Sequence, residues 1–444
     1  MASYDGVVNS TLAYIDQASF LGLRALGRHP VIQVVWIYRR AVDFDGLDHF
    51  RRNLAGGLLG RRVERSALPF GRHRWIAWEG PDGIDVADHA VSLDQVVFWA
   101  DKQATLPIDP EVGPSWRLAV LPLTDGGAAV TLVVSHTVAD GLGASRAITD
   151  AVNGLTTDLG YTPAHSRSKR KALFEDSRVM ARSLPDIGRA VAAAVRLARR
   201  GGVIAPAPSA PPVSGGSRVV TVPSVTAQID ATRWDERALS LGGTGNSLLL
   251  GVAARLGRRL GWSPTHGPVT LSVPVNERTP DDTRGNALTA VTVVADPDVA
   301  TTDLRSLRAQ IKASLSTLGD VRDGLFAPLP LVPLTPRAVA RKLEQTVVPG
   351  GVIGSSNLGE LDPAVNRPDG TEADLFAVRM TEALTVADLQ RAGGAFFPVV
   401  SGRVAGKVFL SVGYLNREAT TARAQVFDAV RGALGDFGLS AFLY

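Results

Sequence analysis

Two hydrophobic rhythms alternate along this chain of 444 residues. Runs rich in apolar and β-branched residues predict strands at Val31 to Tyr38, Trp116 to Leu121, Val130 to Val134, Val269 to Val275 and Leu288 to Ala295. Arg74 to Trp78 is a shorter strand, and Asp125-Gly-Gly127 is a hairpin turn leading into Val130 to Val134. Arg218 to Val222 and Thr226 to Ile229 are strand-like, and Phe396 to Arg403 with Lys407 to Tyr414 predicts a hairpin. Helical spacing puts Leu47, Phe50 and Leu54 on one stripe. It also puts Leu249, Val252, Leu256 and Leu260 on another, in a helix that Asn246 can cap. Residues 10 to 26, Asp303 to Leu318 and Thr421 to Phe437 add further helices. Strands and helices interleave in both halves with several antiparallel steps, so the fold class is α/β of the mixed, α+β kind.

The rhythm breaks between 166 and 217. Ser166-Arg-Ser-Lys-Arg-Lys171 is a basic cluster. From Leu184 to Arg200, Leu184, Ile187, Val191 and Val195 form one helical face, and Arg182, Arg189, Arg196 and Arg200 another. A Pro/Gly/Ser-rich linker, 205 to 216, follows. The chain therefore divides into an N-terminal lobe (1–165), a basic helix with its linker (166–217) and a C-terminal lobe (218–444). The basic helix, 182–200, is either the solvated face of a connector or a contact for anionic lipid, or for the phosphates of a cofactor or carrier.

Composition narrows the function classes. Lys plus Arg number 47 against 43 Asp plus Glu, an excess too small to argue for nucleic acid, and no aromatic–basic stacking motif is present. The absence of cysteine excludes disulfides, thiol nucleophiles and thiolate metal sites. The first residues lack a secretory pattern, and no window of 18 residues is wholly apolar. The expectation is a cytoplasmic protein, with a peripheral membrane contact left open.

The chemistry centres on His136, at the exit of the strand Val130 to Val134, with Asp140 and Gly141 following. By composition, His-x-x-x-Asp-Gly should occur about 0.04 times by chance among seven histidines, so its strand–turn–helix setting carries weight. A histidine at a strand exit can present its imidazole in a cleft as a general base; the plainer reading is a strand-end ring satisfying local hydrogen bonds. Other chemistries fit poorly. Ser135 and Gly143-Ala-Ser145 lack the Gly-x-Ser-x-Gly elbow. No phosphate-binding loop occurs, and Leu241-Gly-Gly-Thr-Gly-Asn246 lacks the full dinucleotide fingerprint. The remaining histidines are scattered, so no metal site is expected.

His136-Thr-Val-Ala-Asp140-Gly141 resembles the HxxxDG motif of the condensation-domain and chloramphenicol-acetyltransferase-like superfamily. Within it, the chain most resembles the bacterial wax ester synthase/diacylglycerol acyltransferase family. Pro114-Ser-Trp116 is similar to that family's Pro-Leu-Trp, and Val213-Ser-Gly-Gly-Ser-Arg218 to the opening of its second half. Gly243-Thr-Gly-Asn-Ser-Leu-Leu-Leu250 is similar to its Asn-Asp helix. Val273-Pro-Val-Asn-Glu-Arg278 with Gly285-Asn286 is similar to its Pro-Val-x-x-Arg and Gly-Asn pair, and Ser355-Ser-Asn-Leu-Gly359 to its late Ser-Asn segment. The order holds across roughly 100 to 415. Three positions depart: Ser135 stands for the first histidine of the double-His form, Ser247 for Asp and Ser115 for Leu. They favour a divergent acyltransferase over triacylglycerol or wax synthesis.

The resemblance implies two chloramphenicol-acetyltransferase-like lobes in a V around a central active-site tunnel. It implies an O-acyltransferase that moves an acyl group from a CoA or carrier-protein thioester to an alcohol, with His136 as general base and no bound cofactor. It also implies a structural Asp140 paired bidentately with Arg278, a Gly141 that admits close backbone approach, and Ser356 and Asn357 as polar groups near the oxyanion; turn hydrogen bonding is the alternative for those two. Two other functions stay open: an amide- or ester-forming condensation enzyme acting on carrier-bound substrates, and a catalytically silent module that docks a carrier protein.

Overall fold

The structure, a computed structural model, describes residues 10–199, 219–262, 267–336, 352–391, 396–416 and 418–444. The linker at 205–216 and Arg200 lie outside the described residues.

Two sheets organise the chain. The first has the strand order Leu375–Thr381, Val31–Tyr38, Ala128–Ser135, Trp116–Pro122, Asp85–Val86. Its Val31–Tyr38 and Ala128–Ser135 strands are buried along their whole length. Both of their faces are covered, which is why their sequences run largely apolar instead of alternating. On one side Trp36, Leu132 and Val134 share a core with Leu47 and Phe50 of the helix Phe44–Ala55 and with Ile148 of the helix Gly141–Val152. On the other, Val35, Ile37 and Ala129 pack against Val96 and Ala100 of the helix Val96–Thr105.

The second sheet has the order Leu288–Ala295, Val269–Asn276, Val352–Glu360, Pro398–Val404, Lys407–Gly413, Ser224–Asp230, Phe442–Leu443. Leu249 and Leu256 of the helix Gly245–Arg259 share its core with Leu271, Val399 and Leu410. The Leu288–Ala295 strand, first in this order, alternates between covered and open positions, as a one-faced strand does.

Sheet membership does not follow chain order. Leu375–Thr381, late in the sequence, adds antiparallel to Val31–Tyr38 with Val378 opposite Val34. Buried polar groups accompany this crossover: Arg379 donates to Gln33 at 2.9 Å and pairs with Asp101 at 2.8 Å.

Two local expectations change. Asn246 is not the cap of its helix; the helix starts at Gly245 with Thr244 as N-cap. Ser247 Oγ accepts the Thr244 N–H at 2.7 Å and Thr244 Oγ1 the Ser247 N–H at 3.4 Å, a reciprocal capping box. The basic helix is one element, Lys169–Arg199, running through Pro185. Its Leu184, Val191 and Val195 face outward while Asp176, Ser183 and Ala190 are buried. Asp176 turns inward because Arg167 pairs with it at 2.7 Å and the Ala67 N–H donates to it at 2.7 Å. No helix among the described residues is long and apolar enough to cross a membrane.

Candidate functional site

His136 is placed by the first sheet's hydrogen-bond ladder. The Ser135 N–H donates to Ser115 O at 2.9 Å and the His136 N–H to Pro30 O at 3.0 Å, one residue beyond the strand. The chain then turns, with the Val138 N–H returning to Ser135 O at 2.9 Å. Asp140 ends the turn as N-cap of the helix Gly141–Val152, its Oδ1 accepting the Gly143 N–H at 2.7 Å. Thr137 to Asp140 are buried; the His136 ring is half-buried.

The other wall is the loop 277–287, which joins the antiparallel strands Val269–Asn276 and Leu288–Ala295. Arg278 lies folded inside it, bonding Asp282 O at 3.2 Å, Arg284 O at 2.8 Å and Gly285 O at 3.1 Å. It meets Asp140 through one contact, Nη2 to Oδ2 at 2.9 Å. The bidentate pair expected from the sequence is absent because Asp140 Oδ1 serves the helix cap, and Oδ2 also accepts the Ala287 N–H at 2.8 Å.

Asn286 closes on the ring: its Oδ1 lies 3.1 Å from His136 Nδ1, and its Nδ2 donates to His136 O at 3.1 Å. His136 Nε2 has no hydrogen bond to any described residue. Beneath the loop sits Asp16, fully buried on the helix Tyr14–Leu26. Its carboxylate accepts the Gly285 N–H at 3.0 Å and the Asn286 N–H at 2.8 Å. Burial pushes the Asp16 carboxyl above the usual range, opposed first by the charge of Arg61. Arg61, also buried, stacks over Trp75 at 4.4 Å and donates to Val138 O at 2.9 Å and to Thr283 O.

Sequence reasoning missed Asp16 and Arg61 and gave Asn286 no role. One signal was present: Asp16 falls on the spacing of Leu12 and Phe20, a carboxylate on a core stripe.

Gly141 packs closely against Leu358. A Cβ there would lie 2.9 Å from Leu358 Cδ2, so the strand Val352–Glu360 passes against the start of the helix. Ser356 and Asn357 precede Leu358 on that strand, and both are half-buried. Asn357 donates to Asn246 Oδ1 at 2.7 Å and accepts the Gly359 N–H at 2.9 Å. Neither is among the hydrogen-bond partners of His136. Among the described residues no group of three or more His, Asp or Glu could hold a metal.

No protein-family model matches the chain, and no curated protein matches it in sequence. Solved structures do match in shape. The wax ester synthase/diacylglycerol acyltransferase from Marinobacter aquaeolei VT8 superposes with a TM-score of 0.57 at 14% identity, over 96% of this chain and 98% of its own. The trichothecene 15-O-acetyltransferase from Fusarium sporotrichioides gives 0.58 at 11% identity, over 96% and 94%. The first condensation domain of the calcium-dependent antibiotic synthetase, in complex with a substrate analogue, gives 0.53 at 14% identity, over 98% and 96%.

Proposed function

From the two-lobed fold this chain shares with condensation domains and chloramphenicol-acetyltransferase-like acyltransferases, we propose that it transfers an acyl group from a thioester to an alcohol, with His136 as general base. The observation carrying this reading is the half-buried strand-end ring, engaged at Nδ1 and, among the described residues, unengaged at Nε2. In this role Nε2 takes the hydroxyl proton as the oxygen attacks the thioester carbonyl. The C–O bond forms, the tetrahedral adduct collapses, the C–S bond breaks, and the proton passes from the imidazolium to the leaving thiolate. The donor is an acyl-CoA or an acyl-carrier-protein thioester. Asp140 and Arg278 hold the turn against the loop, and Gly141 lets the Leu358 strand approach. In this reading Ser356 and Asn357 on that strand are the polar groups offered to the developing oxyanion.

The test is thiol release from acyl-CoAs of graded length, offered with long-chain alcohols, diacylglycerol or amines. Acceptor-dependent release with ester formation supports the proposal. Turnover confined to acylated carrier proteins moves the assignment to a condensation enzyme, and carrier binding without turnover leaves a docking module.

The helix Lys169–Arg199 favours a second partner. Its exposed side chains include apolar Leu173, Phe174, Leu184, Val191 and Val195 and basic Arg178, Arg182 and Arg196. We propose that this exposed surface rests on an anionic bilayer, where apolar side chains carried together with arginines are stabilised. Vesicles containing phosphatidylserine should float the protein, and Arg182→Gln and Arg196→Gln should each weaken binding by about 1 kcal/mol. Failure of the wild type to float leaves a solvated connector.

A further inference from the structure

We infer that Asn286 fixes the tautomer of His136, and that Asp16 fixes Asn286. The argument starts from the two unlike ends of the Asn286 amide, an oxygen that only accepts and a nitrogen that only donates. One end faces His136 O at 3.1 Å and Asp16 Oδ1 at 3.5 Å. Both are acceptors, so this end is the NH2 group. The oxygen therefore faces His136 Nδ1 at 3.1 Å and needs a donor there. Nδ1 carries the ring proton, and Nε2 is left with its lone pair.

The amide has little freedom to turn away. Asp16 grips its backbone from below through the N–H groups of Gly285 and Asn286, at 3.0 and 2.8 Å. On the turn side, the Asp140 N–H donates to Gly285 O at 2.9 Å. Gly285 is seated so closely that a Cβ would lie 2.6 Å from Thr137 O and 3.0 Å from Val138 O, backbone atoms that cannot swing aside. Arg61 faces Asp16 and ties the same two segments together through Val138 O and Thr283 O. Four hydrogen bonds through the main chain of residues 285–287 thus dock that strip onto Asp16 and Asp140, and the ring's partner is part of it.

Asn286 and Asp16 are positioning residues. Their catalytic consequence rests on His136 being the base, because the tautomer decides whether Nε2 can receive the acceptor's proton. The tautomer itself can be measured without any substrate.

The experiment is long-range proton–nitrogen NMR of the full chain labelled with 15N-histidine, at an alkaline pH where imidazoles are neutral. Among the seven histidines, the His136 signals are those lost in His136→Gln. The wild-type ring should be protonated at Nδ1 alone. In Asn286→Ala the ring should become a mixture of tautomers, with kcat for thiol release falling about 10²-fold while KM stays within about twofold. Asp16→Asn should give the same change at smaller amplitude. A wild-type ring protonated at Nε2, which needs no variant to fold, overturns the inference; so does an Asn286→Ala ring still held purely as Nδ1–H. A wild-type ring protonated at Nδ1 in a protein whose His136→Gln variant keeps full transfer supports the positioning and removes His136 as the base.

Discussion

Two histidines in the first third of the chain sit in opposite environments. His73 is 8% exposed, edge-on to Phe20 at 5.4 Å. Its Nδ1 accepts the Ser66 N–H at 3.3 Å, so its proton sits on Nε2, which is buried without a partner. Burial, helped by the charge of Arg65, brings its pKa down to about 4. At His136 the partner at Nδ1 is an acceptor and the other nitrogen has no partner among the described residues. The group at Nδ1 decides which nitrogen is basic, and burial decides whether anything can reach it. A packed ring has the wrong nitrogen exposed to the wrong medium, and a reactive one needs a polar anchor on one side only.

The largest effect that can break this contrast falls on the frame of His136. Asp140→Ala removes a helix cap and leaves Arg278 buried without its carboxylate, so denaturation should show a loss of about 4 kcal/mol. Unchanged melting contradicts the structural role of Asp140. Next comes the His73 pocket. The unfolded chain takes up the proton near pH 6.5 and the folded protein only near 4. The stabilisation is full above pH 6.5 and falls away as the pH drops towards 4, by about 3 kcal/mol. His73→Asn keeps an acceptor for Ser66 and should flatten that pH dependence; an unaltered slope places the titration elsewhere. A smaller effect is the coupling of Asp140 with Arg278. A double-mutant cycle should return about 1–2 kcal/mol, and near-additive values contradict their pairing. Smallest of all, His73→Asn should leave thiol release within about twofold of wild type, because that ring takes no part in transfer.

The same contrast explains what could be read from the chain. Val31–Tyr38 and Leu288–Ala295 are legible residue for residue, because cover on both faces or one writes itself into side-chain polarity. His136 and Asp140 are legible because strand, turn and cap lie within a few residues. Arg278 came through family resemblance, which gave the partner and overstated the geometry. Asp16 and Arg61 were missed because their meaning is nonlocal: Asp16 binds an amide 269 positions away. Which face of the helix Lys169–Arg199 turns inward is not written locally for the same reason, since what holds Asp176 inward is Arg167 and the segment at Ser66-Ala67.

The central claim is that His136 removes the acceptor's proton during transfer from a thioester. The direct measurement is acceptor-dependent thiol release by the wild type and by His136→Ala, with melting followed on both. The account predicts a fall of at least about 10²-fold in the variant at unchanged melting temperature. A folded His136→Ala protein that transfers at the wild-type rate contradicts it.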